Sequence, residues 1–573
     1  MDELIKVVKT GNKNDISVKI QQFLNQYGKL FTIDDTIQHK KQLTECLFRL
    51  LRDPEYVELH SHCLEVMRIL TRDKQHCGDL FSADRIETML HLAMLVGEEE
   101  AFMTLQNTRF DTRVVVEAQM CLCNLIYNCS TIQKLCANNS CIEGIMLRLR
   151  MHPDPQLPQD VKYYDMRMLF LISALCAEVR PRIRDDYHGL IYLMETIDLI
   201  LKNNSESQAQ VPNKNKRRSK GSRRGKKGAP NDTTEDECLV AYYLDNWEVD
   251  FANEVLKSLF NLTINIDKNH LDEIEEAHFL RLVSILHDLL LCDTKSKDKK
   301  EDLQSHTVNL LTSMPANSFE ELLSPITEMG RPDNPDHEYD EMNMEVIAVL
   351  VQFLSKRLDN HTVQNSRERL APILTCLSEA SRANPTIRKY LRSKVLPPLK
   401  DARERPEEGT TLRNRLVRLM TSPHTEVKEL VADFLFVLCK ENVCRLIKYT
   451  GYGNAAGLLA NRGLMLGGCG NSGNYSSESE ESDTEEYAQM KDKINPVTGC
   501  YEEPKPDPMA GMTTEQKEYE AIRLVEMIDK LAKTGVVKPC RVGDDGKPHP
   551  VEHILELQQM AAECKRKDSK SDD

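Results

Sequence analysis

Two arginines, Arg68 and Arg72, stand four residues apart. On a helix that spacing puts both guanidinium groups on one face, where together they make a receptor for a carboxylate through charge-assisted, bidentate bonds. Asn124 and Asn261 carry complementary chemistry, because an amide both donates and accepts and can satisfy the backbone of a bound segment. Arg388 and Lys389, adjacent further along the chain, offer a second cationic position. Each of these residues also has a plainer role. An arginine pair on a solvated face finds a local carboxylate, here Asp73 or Glu65, and a buried asparagine caps a neighbouring loop of its own fold. Spacing alone leaves both roles open.

Covalent and cofactor chemistry finds little support. Gly451, Gly453 and Ala456 satisfy a loose GxGxxA pattern, but it follows a helical segment at 443–449 instead of a strand, and no GxxxxGK[ST] occurs. Neither GxSxG nor HExxH is present, so no nucleophile, general base or zinc helix announces itself. Cys121 with Cys123, and Cys136 with Cys141, lack a second pair at metal-ligand spacing, so neither metal nor cofactor is expected. The formal charge of −15 argues against a general nucleic-acid binder. Residues 1–9 are charged and carry no apolar core, so no signal peptide is expected, and no run reaches the roughly 18–20 apolar residues of a membrane span. The 18 cysteines, many inside apolar runs (Cys46, Cys121, Cys176, Cys376, Cys439), are therefore expected as reduced core fillers in the cytosol.

The elements that must position Arg68 and Asn124 repeat. Residues 117–128 and 254–265 are near copies: Glu117 matches Glu254, Leu122 matches Leu259, Asn124 matches Asn261, Leu125 matches Leu262 and Asn128 matches Asn265. Fainter copies lie at 62–73, 305–314 and 430–442. Apolar residues three and four apart predict helices, and their recurrence predicts stacked units, each burying its apolar face on the next. The expected fold is all-α, an armadillo/HEAT-like helical-repeat superhelix over residues 1–465. A content of 29% charged and 6% aromatic residues suits it.

Three stretches break the rhythm. Residues 203–237 hold a basic run at 214–227 followed by acidic residues, and the segment reads as a disordered insertion: a nuclear-import signal, an anionic-lipid contact or a solvated loop. Residues 325–341 read as a loop and 401–411 as a connector. Residues 466–512, acidic and serine-rich at 476–486, read as a flexible linker. Beyond it, residues 513–534 form an amphipathic helix, capped by Thr514, striped by Ile522, Val525, Ile528 and Leu531, and stopped by Gly535. Residues 535–573 form a tail with a short helix at 551–565.

The segments 395–400, 412–420, 434–439 and 449–459 carry a resemblance, continued by Asn495-Pro-Val-Thr-Gly499 and by residues 512–531. Together they resemble synembryn, the resistance-to-inhibitors-of-cholinesterase family of G-protein α-subunit exchange factors and chaperones. The resemblance covers nearly the whole chain, is most specific between Arg388 and Leu531, and leaves out the basic run. It implies a superhelix that binds nucleotide-free Gα, promotes GDP release and chaperones new Gα, without covalent chemistry. The concave groove would take the C-terminal helix of Gα, with Arg68, Arg72, Asn124, Arg388 and Lys389 on its groove positions and Asn261 one repeat on. The detached helix would brace the Ras-like domain. Ser477 and Ser482, each with a glutamate three residues on, resemble the family's casein-kinase-type phosphosites, which would pin the arm to Arg445 or Lys448. The resemblance also implies a monomer in the cytoplasm, drawn to the cell cortex and plasma membrane through Gα, with a neuronal calcium-sensor protein as a further partner. Two other classes compete. An importin-α-like cargo adaptor needs a tryptophan ladder for lysine stems, and this chain has one tryptophan, Trp247. A passive scaffold would use the basic run to sit on membranes.

Overall fold

The computed structural model describes residues 1–30, 33, 35–98, 111–209, 242–326, 332, 334–359, 366–468, 484–503, 509 and 511–551. Helices account for nearly all of its regular structure, and two compact units divide it at residues 322 and 323.

In the first unit the helices are α1 (Asp2–Thr10), α2 (Lys13–Tyr27), α3 (Ile37–Arg52), α4 (His60–Leu70), α5 (Cys77–Leu80), α6 (Ala83–Leu92), α7 (Thr112–Asn128), α8 (Ser130–Asn138), α9 (Cys141–Leu149), α10 (Gln159–Leu175), α11 (Gly189–Ala209), α12 (Asn246–Thr263), α13 (Glu273–Leu291) and α14 (Lys297–Leu311). Polar caps set many of their starts. Asn12, Thr36 and Asp111 each accept a first-turn N–H, and Asp245 with Glu248 and Asp272 with Glu275 form capping boxes. A two-residue parallel pair, β1 (Tyr243–Leu244) with β2 (Asp293–Thr294), links the starts of α12 and α14.

Five helices, α4, α7, α10, α12 and α14, pack successively side by side. All but α10 carry the repeated sequence units, at 62–73, 117–128, 254–265 and 305–314. Leu122 and Leu259, the matched pair, are both fully buried, as are Met67, Ile126, Ile172, Leu256 and Leu310. Each such side chain contributes on the order of 1.5–3 kcal/mol by leaving water, and no helix of the row has that partner surface alone. Cys46, Cys121, Cys176, Cys376 and Cys439 are buried and free of disulfides. Burial pushes the thiols of Cys376 and Cys439 up to about 12. Helix α11 runs on to Ala209, seven residues into the stretch expected to be an insertion; the basic run at 214–227 lies outside the described residues.

A buried charge cluster ties the row to α9. Arg148 Nε donates to Asp165 Oδ2 at 2.8 Å, Gln119 Nε2 donates to Asp165 Oδ1 at 2.8 Å, and Arg148 Nη1 donates to the Ala93 carbonyl at 2.8 Å. Burial works to raise the Asp165 carboxyl, but Arg148 and His152 hold it below the usual range. His152 lies 3.7 Å from it, and burial pushes that imidazole down.

The second unit holds α15 (Glu345–Asp359), α16 (Ser366–Ala383), α17 (Pro385–Val395), α18 (Leu412–Leu419), α19 (Thr425–Leu438), α20 (Val443–Thr450), α21 (Tyr452–Arg462), α22 (Glu485–Met490) and α23 (Thr514–Lys533). Part of the expected loop at 325–341 joins a small antiparallel sheet in which β5 (Met342–Asn343) lies between β3 (Ser324–Pro325) and β4 (Glu338–Tyr339). Residues 484–503, expected within one long linker, fold onto this unit instead. Thr484 Oγ1 donates to the Leu399 carbonyl at 2.5 Å, Tyr487 and Cys500 are buried, and Tyr501 N–H donates to the Ala402 carbonyl at 2.6 Å. The two apolar anchors, and the turn joining β6 (Ile494–Asn495) to β7 (Cys500–Tyr501), outweigh the acidic composition around them. Ser477 and Ser482 lie outside the described residues, as does most of the expected helix at 551–565.

Helix α23 starts from a capping box on Thr513, not Thr514, and none of its residues is buried. Its apolar residues Tyr519, Ile522, Leu524, Met527 and Leu531 are exposed. A last hairpin, β8 (Cys540–Val542) with β9 (Pro548–Pro550), follows it. Among the described residues no helix is long and apolar enough to cross a membrane, and no cluster of three or more His, Cys, Asp or Glu could hold a metal.

Two outcomes follow from the buried cluster. Asp165→Ala leaves Arg148 uncompensated and should cost about 3–5 kcal/mol, seen as a lower urea or thermal midpoint. His60, His152 and His306 are all pushed down by burial and stay neutral in the fold. The unfolded chain takes up protons on these groups below pH about 6.5, so stability should fall as pH drops from 7 to 5.5. A flat thermal midpoint over that interval would contradict this.

Candidate functional site

The structure brings Arg68, Arg72 and Asn124 together at the C-terminal ends of α4 and α7. Arg68 Nε lies 2.9 Å from Glu117 Oε2 on α7, and its side chain stays 31% exposed. Arg72 Nη1 donates to the carbonyls of Gly28 at 3.0 Å and Leu30 at 2.7 Å, just past α2. Neither arginine takes the local carboxylate that spacing offered: Glu65 pairs with Arg113 at 2.7 Å and Asp73 with Lys40 at 2.8 Å. Burial raises the Glu117 carboxyl, against the pull of Arg68. Burial, and then repulsion by Arg68, lowers Arg72. Two guanidinium groups thus stand beside one carboxylate, and their mutual repulsion is relieved by any further anion placed between them.

Asn124 and Asn261 make matching contacts two helices apart in the row. Asn124 Nδ2 donates to Thr71 Oγ1 at 3.1 Å and to the Arg68 carbonyl at 3.4 Å, while Thr71 Oγ1 donates to that same carbonyl at 2.9 Å. Asn261 Nδ2 donates to Ser173 Oγ at 3.0 Å and to the Phe170 carbonyl at 3.3 Å, and Ser173 Oγ donates to Phe170 at 3.1 Å. The last turn of α4 has carbonyls without intrahelical donors, and Asn124 supplies one, whereas Phe170 lies a turn inside α10. Asn261 is only 8% exposed, whereas Asn124 is half-buried. Asn128 adds a donation to the Thr71 carbonyl at 2.9 Å.

Several residues of the row escaped the sequence reading. Glu254, seven residues before Asn261 as Glu117 is before Asn124, accepts from Arg167 at 3.0 Å and from Lys257 at 2.7 Å. Lys257 Nζ also stands 4.6 Å from the centre of the Phe170 ring. The match of Glu254 to Glu117 was the signal that an arginine belongs on the helix before it. At the C-terminal ends of α7, α10 and α12, Tyr127, Leu175 and Ile264 are exposed by 67%, 43% and 46%. Cations, amides and apolar side chains therefore share one edge of the row, a surface suited to an amphipathic helix bearing a carboxylate.

In the second unit, Arg388 and Lys389 diverge. Arg388 is 5% exposed and its Nη1 donates to the Ser381 carbonyl at 3.0 Å. Lys389 lines a cavity of about 470 Å³ with Tyr339, Arg392, Lys448, Tyr449 and Thr484. The glycine pattern at 451–456 makes no phosphate cradle. Tyr452 and Gly453 N–H, the free donors at the start of α21, go to the carbonyls of Pro496 at 2.8 Å and Val497 at 2.9 Å. Gly451 (φ +74°) and Gly499 (φ +70°) pack backbone to backbone, and a side chain on either would collide with the other segment.

A family model described as "Guanine nucleotide exchange factor synembryn" matches residues 63–547. Chaperone Ric-8A of Danio rerio is 38% identical over 100% of this chain and 99% of its own length. Chaperone Ric-8A of Gallus gallus is 38% identical, and that of Xenopus tropicalis 37%, each over 99% of both chains. The residues that suggested synembryn thus sit in a match spanning most of the sequence, and the chain belongs to the synembryn (Ric8) family.

Proposed function

We propose that this protein is a guanine nucleotide exchange factor and folding chaperone for heterotrimeric G-protein α subunits, and that it binds Gα by laying the C-terminal helix of Gα along the edge of the α4–α7–α10–α12 row. The observation that carries the binding mode is the pair Arg68 and Arg72 beside the single carboxylate of Glu117, next to Asn124 and Tyr127. A carboxylate on the Gα helix would meet the arginines, the oxygen of Asn124 would accept a backbone or side-chain donor, and Tyr127, Leu175 and Ile264 would cover the apolar face. Asn261 supports the row from within.

Exchange then needs no acid, base or nucleophile from this chain. The row binds the Gα tail more tightly when Gα is empty, so by linkage its binding weakens GDP; GTP reverses the cycle by ordering Gα and expelling the factor. Helix α23, exposed along its length, braces the Ras-like domain. Phosphate on Ser477 and Ser482 would add negative charge to the arm and pin it to Arg445 or Lys448. Residence in the cytoplasm as a monomer, recruitment to the cell cortex through Gα and a neuronal calcium-sensor partner belong to the same proposal. A cargo adaptor is disfavoured because Trp247 stacks on Phe251 at 5.0 Å inside the first unit, which leaves no tryptophan for a ladder.

Two measurements test the binding mode. Arg68→Ala should weaken Gα binding and slow Gα-dependent GDP release by roughly tenfold, the worth of one charged hydrogen bond, while circular dichroism is unchanged. Normal GDP release in both Arg68→Ala and Arg72→Ala would contradict it. Asn261→Ala should lower the unfolding free energy by about 1–3 kcal/mol and leave Gα affinity per folded molecule intact, whereas Asn124→Ala should reduce both.

A further inference from the structure

Helix α21 holds the chain at both of its ends. At its start, Tyr452 and Gly453 N–H donate to Pro496 and Val497, which anchors the 484–503 segment ahead of α23. At its finish, Gly463 adopts a left-handed conformation (φ +70°) and meets the tip of the hairpin that follows α23. Met465 N–H donates to the Gly546 carbonyl at 3.2 Å. A Cβ on Gly463 would lie 2.7 Å from the Asp545 carbonyl oxygen, and one on Gly546 (φ +69°) would lie 1.9 Å from the Gly463 oxygen. Both strands of the hairpin are exposed, and Gly546 alone is buried in it. The hairpin therefore touches the unit by its tip, through two glycines that no other residue could replace.

From these contacts we infer that the 540–550 hairpin is a latch. It closes the chain carrying α23 into a strap whose two ends are fixed to one helix, so α23 is not a free tail. Helix α23, about 30 Å long, lies between these two anchors with Tyr519, Ile522, Met527 and Leu531 uncovered. A segment tethered at both ends explores a smaller volume than one tethered at one end, which raises its effective concentration at a partner held by the same protein. Unlatching frees the far end and lets the partner go. The release of the partner rests on the proposed Gα binding; the latch itself does not.

Hydrogen exchange on the free full-length chain reads the latch without Gα. Amides of Met465 and of the 543–547 turn should be protected at least tenfold over the exposed Thr534–Lys538 segment, and Gly546→Val should abolish that protection while α16 and α19 stay protected. Met465→Pro, which removes the donor from the opposite side, should do the same. With Gα bound, both variants should release it about tenfold faster or more than the parent chain. Unprotected turn amides in the parent chain would overturn the latch. So would parent-like Gα dissociation from variants whose turn has become unprotected. If the parent chain binds no Gα, the proposed function fails while the exchange data still decide the latch.

Discussion

Parallel helices packed in a row bring their C-terminal ends to one edge, and every such end exposes carbonyls that its own helix cannot satisfy. At the end of α4 this is met across the row, where Asn124 donates to the Arg68 carbonyl and Asn128 to the Thr71 carbonyl; Asn261 donates to Phe170, a turn inside α10, and Thr263 Oγ1 pairs with Ser313 Oγ at 2.9 Å between the ends of α12 and α14. Each contact sets the register of one helix against the next. The carbonyl ends also carry partial negative charge, which favours the cations Arg68 and Arg72 near that edge. Recognition chemistry is thus placed by a requirement of the backbone.

The row has a second constraint, a glutamate seven residues before each asparagine. Glu117 and Glu254 are both taken out of water and both face cations from the preceding helix, so neither stands as an unpaired buried charge. The two cases differ in where the second cation is held. Around Glu254 the cations Arg167 and Lys257 converge on one oxygen. Around Glu117, Arg68 makes the pair and Arg72 is turned to the backbone carbonyls at the end of α2. In the proposed binding mode the receptor is the site whose second guanidinium is held by backbone carbonyls instead of by the glutamate.

How much of this was legible in the sequence depended on what each pattern fixes. Spacing three and four apart settles which face of a helix is apolar, so the repeated units and the buried Leu122 and Leu259 could be read directly. It does not settle which way an amide side chain spends its donors; the same asparagine suits a ligand or a neighbouring helix, and Asn261 takes the second course. Arg388 and Lys389 look like one cationic site because they are adjacent, yet successive helical positions point about 100° apart, and one is buried while the other lines a cavity. Composition misled at 484–503, where two buried residues, Tyr487 and Cys500, hold an acidic stretch in place. The glycine pattern at 451–456 signalled close backbone approach, but the approaching group is the chain's own 495–499 turn.

The claim on which the mechanism turns is that the edge of the α4–α7–α10–α12 row takes the C-terminal helix of Gα. Hydrogen exchange of the full chain with and without a synthetic Gα C-terminal peptide tests it most directly. Added protection should appear at the ends of α4, α7, α10 and α12 and weaken as salt is raised, since charge contributes to the contact. Protection confined to other helices, with the ends of α4 and α7 exchanging as before, would contradict it.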